Sequence, residues 1–241
     1  MLADDLRITS GQSAPFGRGG DFFEVGVDAS GCVSVVLADV CGNGPAAAAF
    51  VPDLRAVAAT QLARGSSPGA MLAALNQSLA STLRATDRFA TGLALRVDPR
   101  SGRVEIASAG HLGPLVASAF DAVRAFPIAI GVALGIWPGQ QYVETVAAIA
   151  PGDRLILATD GVTDALASAG DMLGQLGLIE QLRLTSPGDS NAICTRLLRH
   201  AQAREDATVI VVERAWSASS AMGVPSGLAT AQSRRLRLLA N

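Results

Sequence analysis

Four acidic clusters stand at the ends of apolar runs, and they constrain this chain more than any other feature. They are Gly19-Gly20-Asp21-Phe22, Ala38-Asp39-Val40-Cys41-Gly42-Asn43-Gly44, Thr159-Asp160-Gly161 and Glu205-Asp206-Ala207-Thr208. Each borders a predicted strand, so a sheet can gather them although they lie far apart in sequence. Converging carboxylates repel one another unless cations neutralise them. A hard-metal site is therefore the leading expectation, and hard metals held by carboxylates often work on phosphate.

The rest of the chain supports a large core and excludes several classes. With 241 residues, 49% hydrophobic and 17% charged, it can form one large domain or two small ones. Aromatic residues are only 4%, so the core must rest on Val, Leu, Ile and Ala. The formal net charge of −2 gives no electrostatic case for nucleic acid or anionic lipid. The longest strongly apolar stretch, 125–137, is too short to span a bilayer and contains Pro127, so no membrane span is predicted. Met1-Leu2-Ala3-Asp4-Asp5 lacks a basic region followed by an apolar one, so no signal peptide is expected. Cys32, Cys41 and Cys194 are odd in number and widely spaced. They argue against a disulfide framework or thiolate zinc site and fit a reducing, cytoplasmic setting. All 19 basic residues are Arg, which rules out Walker-type, Schiff-base and kinase lysines.

Apolar alternation and turn residues predict strands over 22–27 and 32–38, joined by a turn at Asp28-Ala29-Ser30-Gly31. Helices follow over 46–64 and from Ser67-Pro68 to about 86. A hairpin is expected from 89–98 and 104–109 around Pro99-Arg100-Ser101-Gly102. Further strands are predicted over 114–119, 122–126, 142–149, 155–159 and 208–213, with helices over 161–169, 173–182 and 191–203. Hairpins with paired helices between them favour antiparallel sheets covered by helices over a parallel doubly wound sheet. Residues 1–214 read as the domain. The Ser/Ala/Gly-rich segment 215–241, ending in Arg234-Arg235-Leu236-Arg237-Leu238-Leu239, reads as a flexible tail.

In this order the clusters resemble the metal-dependent PPM (protein phosphatase 2C-like) serine/threonine phosphatases, in the bacterial SpoIIE/RsbU branch. The segment 19–25 resembles GGDFYDV, and 38–46 resembles GDVSGKGxxA. Ser108-Ala109-Gly110-His111 resembles NAGH. Pro151-Gly152-Asp153-Arg154 followed by 159–165 resembles PGDxL…TDGVTEA, and 205–209 resembles DDxTL. The resemblance covers residues 15–214. It implies an α+β fold, an αββα sandwich of two antiparallel sheets flanked by helices, with two Mn²⁺ or Mg²⁺ ions at one end. It also implies that Asp21, Asp39 and Asp160 are catalytic. Asp39 would bridge both ions, Asp21 and the Val40 carbonyl would complete one site, and Asp160 with Glu205 or Asp206 the other. It further implies a phosphorylated protein substrate, of the STAS-domain anti-sigma-factor antagonist type, a homodimer formed around residues 46–86, and a separate sensor or activator protein.

Four departures stand out. Glu205 occupies the family's usual final Asp ligand position, longer by about 1.5 Å. Asn43 and Ser108 replace a Lys and an Asn, and the short segment before Asp21 predicts an abbreviated first strand. Glu205 is also the support for the competing reading, a degenerate phosphatase domain that binds a partner without turnover. Among the remaining polar residues, Asp164 reads as a helix-surface residue and Cys41 as a small buried packer. His111 reads either as a general acid or as a hydrogen-bonded loop histidine, and His200 as a helix-end residue. Other enzyme classes fit worse. Phe22 follows Asp21 where a diguanylate cyclase needs an acid, and Gly65-Ser66-Ser67-Pro68-Gly69 follows a helix rather than the strand a serine-hydrolase elbow requires. No cysteine is followed six positions later by the Arg of a cysteine phosphatase.

Overall fold

The computed structural model describes residues 5–14, 19–42, 44–118, 123–165, 174–183, 189–200 and 206–216. They form two sheets, each backed by helices. The first contains, in spatial order, β1 (Leu6–Ser13), β11 (Ala207–Arg214), β10 (Arg154–Ala158), β6 (Leu115–Ala117) and β7 (Arg124–Ala125). The second contains β2 (Asp21–Val27), β3 (Val33–Val40), β4 (Ala90–Val97), β5 (Arg103–Ala109) and β8 (Ile130–Gly131), with β9 (Glu144–Ala148) also pairing to β5.

The period-two alternation of the strands builds this layering. In β3, Val33, Val35 and Leu37 face the space between the sheets, where they meet Leu155, Leu157, Ile210 and Val212 of the opposing sheet. The alternate residues Val36, Ala38 and Val40 face the helices. A nearly all-apolar β3 is thus buried on both faces, as its sequence requires. Burying a side chain such as Leu37 contributes on the order of 1.5–3 kcal/mol, and Leu93, Leu95 and Ile106 in the same layer are equally buried.

The second sheet is covered by α1 (Gly44–Ala48), α2 (Val51–Ala63) and α3 (Pro68–Ala85). Its helix-facing surface is largely small, with Ala38, Ala94, Ala107 and Ala109 beneath Leu54, Met71, Leu72 and Leu75. The first sheet is covered by α4 (Asp160–Thr163), α5 (Gly174–Arg183) and α6 (Ser190–His200), with Ile156, Val209 and Val211 packed against Leu178, Leu182, Ile193 and Leu197.

The structure departs from the sequence expectations in several places. The first strand is full length: all eight residues of β1 pair antiparallel with β11. Its outer face lies under α6, and a Cβ on Gly11 would stand 2.6 Å from Leu198 Cδ1. The expected helix over 46–64 is broken into α1 and α2, because Pro52 has no N–H for the Ala48 carbonyl and its ring crowds that turn. The second sheet is mixed: β5 pairs in parallel with β8, a strand too short to be read from sequence. The strands expected over 114–119 and 122–126 appear as the short β6 and β7, with residues 119–122 outside the described residues. The helix expected over 161–169 ends at Thr163, with Asp164 as its C-cap, while residues 166–169 and the tail from 217 onward lie outside the described residues. Among the described residues, no helix is long and apolar enough to cross a membrane.

Candidate metal centre

The layer between the sheets changes character at one end. On β3 the inward series Val33, Val35, Leu37 continues to Asp39. On β2 the residue opposite Asp39 is Asp21, and on β4 it is Thr91. From the other sheet, β10 runs through Leu155 and Leu157 toward Thr159, and β11 runs from Thr208 to Ile210 and Val212. The same alternation that fills the core with Val and Leu therefore delivers carboxylates and hydroxyls to its mouth.

These groups hold one another in place across the sheets. Asp21 Oδ2 accepts hydrogen bonds from Thr159 Oγ1 at 2.8 Å and Thr208 Oγ1 at 2.7 Å. Thr208 N donates to Thr159 Oγ1 at 2.9 Å, and Gln12 Nε2 of β1 donates to Thr208 Oγ1 at 3.0 Å. Asp21 Oδ1, in contrast, is buried with no hydrogen-bond partner.

Asp206, just ahead of β11, sits in a cradle of glycines. A Cβ on Gly19 would lie 1.7 Å from Asp206 Oδ2, and one on Gly161 would lie 2.0 Å from its carbonyl oxygen. Gly20 N donates to Asp206 Oδ2 at 3.2 Å, while Asp206 Oδ1 is a second buried oxygen without a partner. Gly20 also admits the Val40 carbonyl, which would stand 2.5 Å from a Cβ there. The glycines of the first and third clusters are thus space requirements of the fourth.

Asp39, Asp160, Asp164 and Asp206 line one cavity of about 240 Å³, together with Cys41, Gly42, Phe89 and Thr91. A second cavity of about 350 Å³ includes Asp21, Thr208, Gln12 and Arg55 in its wall, and Asp206 borders both. Burial pushes the Asp21 carboxyl above the ordinary carboxylate range, although the Thr208 and Thr159 hydrogen bonds oppose the shift. Burial raises Asp39 further, and the charges of Asp21, Asp160 and Asp206 add to it.

Among the described residues, no three His, Cys, Asp or Glu side chains stand in a ready-made ligand set. The donor chemistry nevertheless fits a hard cation. Two buried carboxylate oxygens lack partners, all the cavity's acidic groups are oxygen donors, and positive charge would offset the burial and the repulsion that together raise Asp21 and Asp39.

The fold thus gathers Asp21, Asp39, Val40, Asp160 and Asp206 at one end. Glu205 lies outside the described residues. Asp164, read as a helix-surface residue, is exposed but also borders the cavity. Cys41 is half-buried and lines the cavity rather than packing the core. His111 is a buried loop histidine. Its Nδ1 is 2.9 Å from the Leu112 carbonyl, and Ser108 Oγ both donates to its carbonyl and accepts from its N–H. Burial depresses its basicity, and it lines neither cavity. Sequence reasoning passed over Thr159, Thr208 and Gln12. Extending the inward alternation of β10 and β11 by one step beyond their last Leu or Ile would have found both threonines.

A family model described as stage II sporulation protein E (SpoIIE) matches residues 29–215, and the chain belongs to that family. The match begins after Asp21, so the first cluster is placed by the fold rather than by the family model. No curated protein matches the chain. Among solved structures it is similar to the RsbU and RsbW domains of Rv1364c from Mycobacterium tuberculosis. That match has a TM-score of 0.69 and 22% identity, covering 88% of this chain and 60% of that one. It is also similar to the PP2C phosphatase domain and regulatory fragment of SpoIIE from Bacillus subtilis. There the TM-score is 0.73 and the identity 17%, over 88% of this chain and 64% of that one. The chain therefore spans less than two thirds of either. RsbX, solved in complex with magnesium, aligns at TM-score 0.67 and 19% identity over 87% of this chain and 96% of its own. The catalytic domain of the phosphatase PstP, solved with two manganese ions, aligns at 0.62 and 18% over 87% and 98%. The fold is that of PP2C-like phosphatase domains.

Proposed function

We propose that this chain is a metal-dependent protein phosphatase that hydrolyses phosphoserine or phosphothreonine on a protein. The observation that carries this reading is the pair of buried, partnerless oxygens, Asp21 Oδ1 and Asp206 Oδ1, among carboxylates that repel one another. In this reading Asp21, Asp39, Asp160, Asp206 and the Val40 carbonyl would hold two Mn²⁺ or Mg²⁺ ions. When bound, such ions supply an activated water and neutralise the phosphoryl oxygens. Thr159 and Thr208 fix one oxygen of Asp21 so that the other is presented to the site. Of the last-cluster pair, the cradle of glycines favours Asp206.

The substrate we infer is a phosphorylated STAS-type anti-sigma-factor antagonist in the cytoplasm. Support comes from the structural likeness to RsbU and RsbW domains. A homodimer and a separate activator protein belong to the same reading, and sedimentation at micromolar concentration tests the first: a monomer would remove it. The enzymatic test is phosphate release from a phosphoserine protein with Mn²⁺, with Mg²⁺ and with chelator, beside Asp39→Asn. Metal-dependent release lost in the variant is expected. A folded protein that releases no phosphate with either ion would overturn the reading.

A further inference from the structure

We propose that Arg88 is the residue that grips the substrate's phosphate at the rim of the aspartate cavity; this rests on the phosphatase reading above. The described residues lining the cavity include four aspartates and no arginine or histidine. A phosphate monoester entering it meets a wall of carboxylates, and Arg88 is placed to offset their charge at the rim.

Three features set it there. Asp87, just ahead of it, has φ 50°, the one positive φ at a non-glycine among the described residues. That conformation costs on the order of 1 kcal/mol and turns the chain sharply between α3 and β4. Arg88 Nη1 then donates to the Cys41 carbonyl at 2.6 Å, and Cys41 N donates to the Phe89 carbonyl at 2.9 Å. Gly42, at φ +102°, leaves room for the guanidinium, since a Cβ there would stand 2.5 Å from Arg88 Nη1. Cys41, Gly42 and Phe89 are all cavity wall, so the guanidinium lies against that wall, half-buried.

Among the described residues the arginine is also uncommitted to a carboxylate. Arg96 is paired with Asp28, and Arg154 with Glu213. Arg88 has no ion-pair partner among the described residues, and its one hydrogen bond among them engages one of its five N–H donors. A planar fork with several donors suits the oxygens of a phosphoryl group better than a lysine would.

The rival role is structural: Arg88 could simply pin the loop that carries Asp39 and Val40. Binding measurements on the whole chain separate the two. Calorimetry would follow inorganic phosphate binding to the Mn²⁺-loaded protein, and Mn²⁺ binding by itself, for the native chain, Arg88→Ala and Arg88→Lys. We expect phosphate affinity to fall roughly tenfold to a hundredfold in Arg88→Ala, the scale of a charged hydrogen bond. Partial recovery is expected in Arg88→Lys, and Mn²⁺ affinity should move less than about twofold. Unchanged phosphate affinity in Arg88→Ala overturns the proposal, as does a native chain that binds no phosphate. A loss of phosphate binding that merely tracks an equal loss of Mn²⁺ binding assigns Arg88 to the loop instead. Arg88-dependent phosphate binding by a chain that releases no phosphate from a phosphoserine protein would retain this inference and discard the enzymatic one.

Discussion

The two sheets deliver their carboxylates by different means. In the second sheet, Asp21 and Asp39 face one another across a seven-residue antiparallel ladder, so register alone sets their spacing. In the first, Asp160 opens the short helix α4 and Asp206 precedes β11. Asp206 is held through Gly19, Gly20 and Gly161 rather than by pairing. The ladder forces two buried charges together, whereas the cradle admits one charge by removing side chains around it. Repulsion therefore concentrates in the second sheet and steric sensitivity in the first.

Asp39→Asn should have the largest effect, lowering metal-dependent turnover by at least about 10³-fold. In the chelated protein the same change should stabilise. Asp21 and Asp39 are both pushed up, so the folded chain retains protons that the unfolded chain releases. Metal-free stability should accordingly fall as pH rises above the ordinary carboxylate range, and Asp39→Asn should flatten that fall. Melting temperature against pH in chelator reads this out; identical slopes for both proteins would show that the ladder imposes no such repulsion.

Gly19→Ala tests the cradle. Displacing Asp206 should weaken Mn²⁺ binding up to roughly a hundredfold, the upper range for a group that positions a ligand. If titration shows native affinity, Asp206 is not held where the structure places it. Thr159→Val and Thr208→Val should each weaken Mn²⁺ binding about tenfold. Because both hydroxyls bond the same Asp21 oxygen, the double variant should deviate from the product of the two single effects.

The smallest effect belongs far from the site. Asp28 accepts bonds from Ser30, Cys32 and the Arg96 guanidinium in the β2–β3 turn. Burial alone would raise its carboxyl, but the Ser30 and Arg96 bonds outweigh it and hold it at about 2. Its stabilisation is thus complete above the usual Asp range and lost only as pH falls through about 2. Arg96→Ala should cost about 1 kcal/mol near neutral pH and leave Mn²⁺ binding unchanged. A shift in metal affinity would show that turn and site are coupled.

Much of this arrangement was legible in the residues. The apolar β3 ending in Asp39, the Gly-Gly-Asp ahead of β2 and the Asp28–Gly31 turn each follow from local pattern. What local pattern lacked was long-range. The Gly19–Asp206 approach joins segments at opposite ends of the chain, and no periodicity reports a contact of that kind. Strand β1 is mostly polar and owes its length to β11. The break at Pro52 was readable in principle, since a proline at an interior helical position has no N–H to donate to the turn before it. Asp164 is the exposed helix-end residue its sequence suggests but borders the cavity as well, and Cys41 lines it instead of packing the core, because a residue's own element says little about a cavity assembled from several.

Gly20 and Asp21 belong to one sheet, and Asp206, Thr159 and Thr208 to the other, so the bonds between them close the sandwich at its open end. They work as a clasp on a book whose spine is the apolar layer. A ligand seated among these groups would hold both covers at once. Amide exchange at Val40, Ala158 and Val209 would then slow on ion binding, reporting a mechanical closure independent of any turnover.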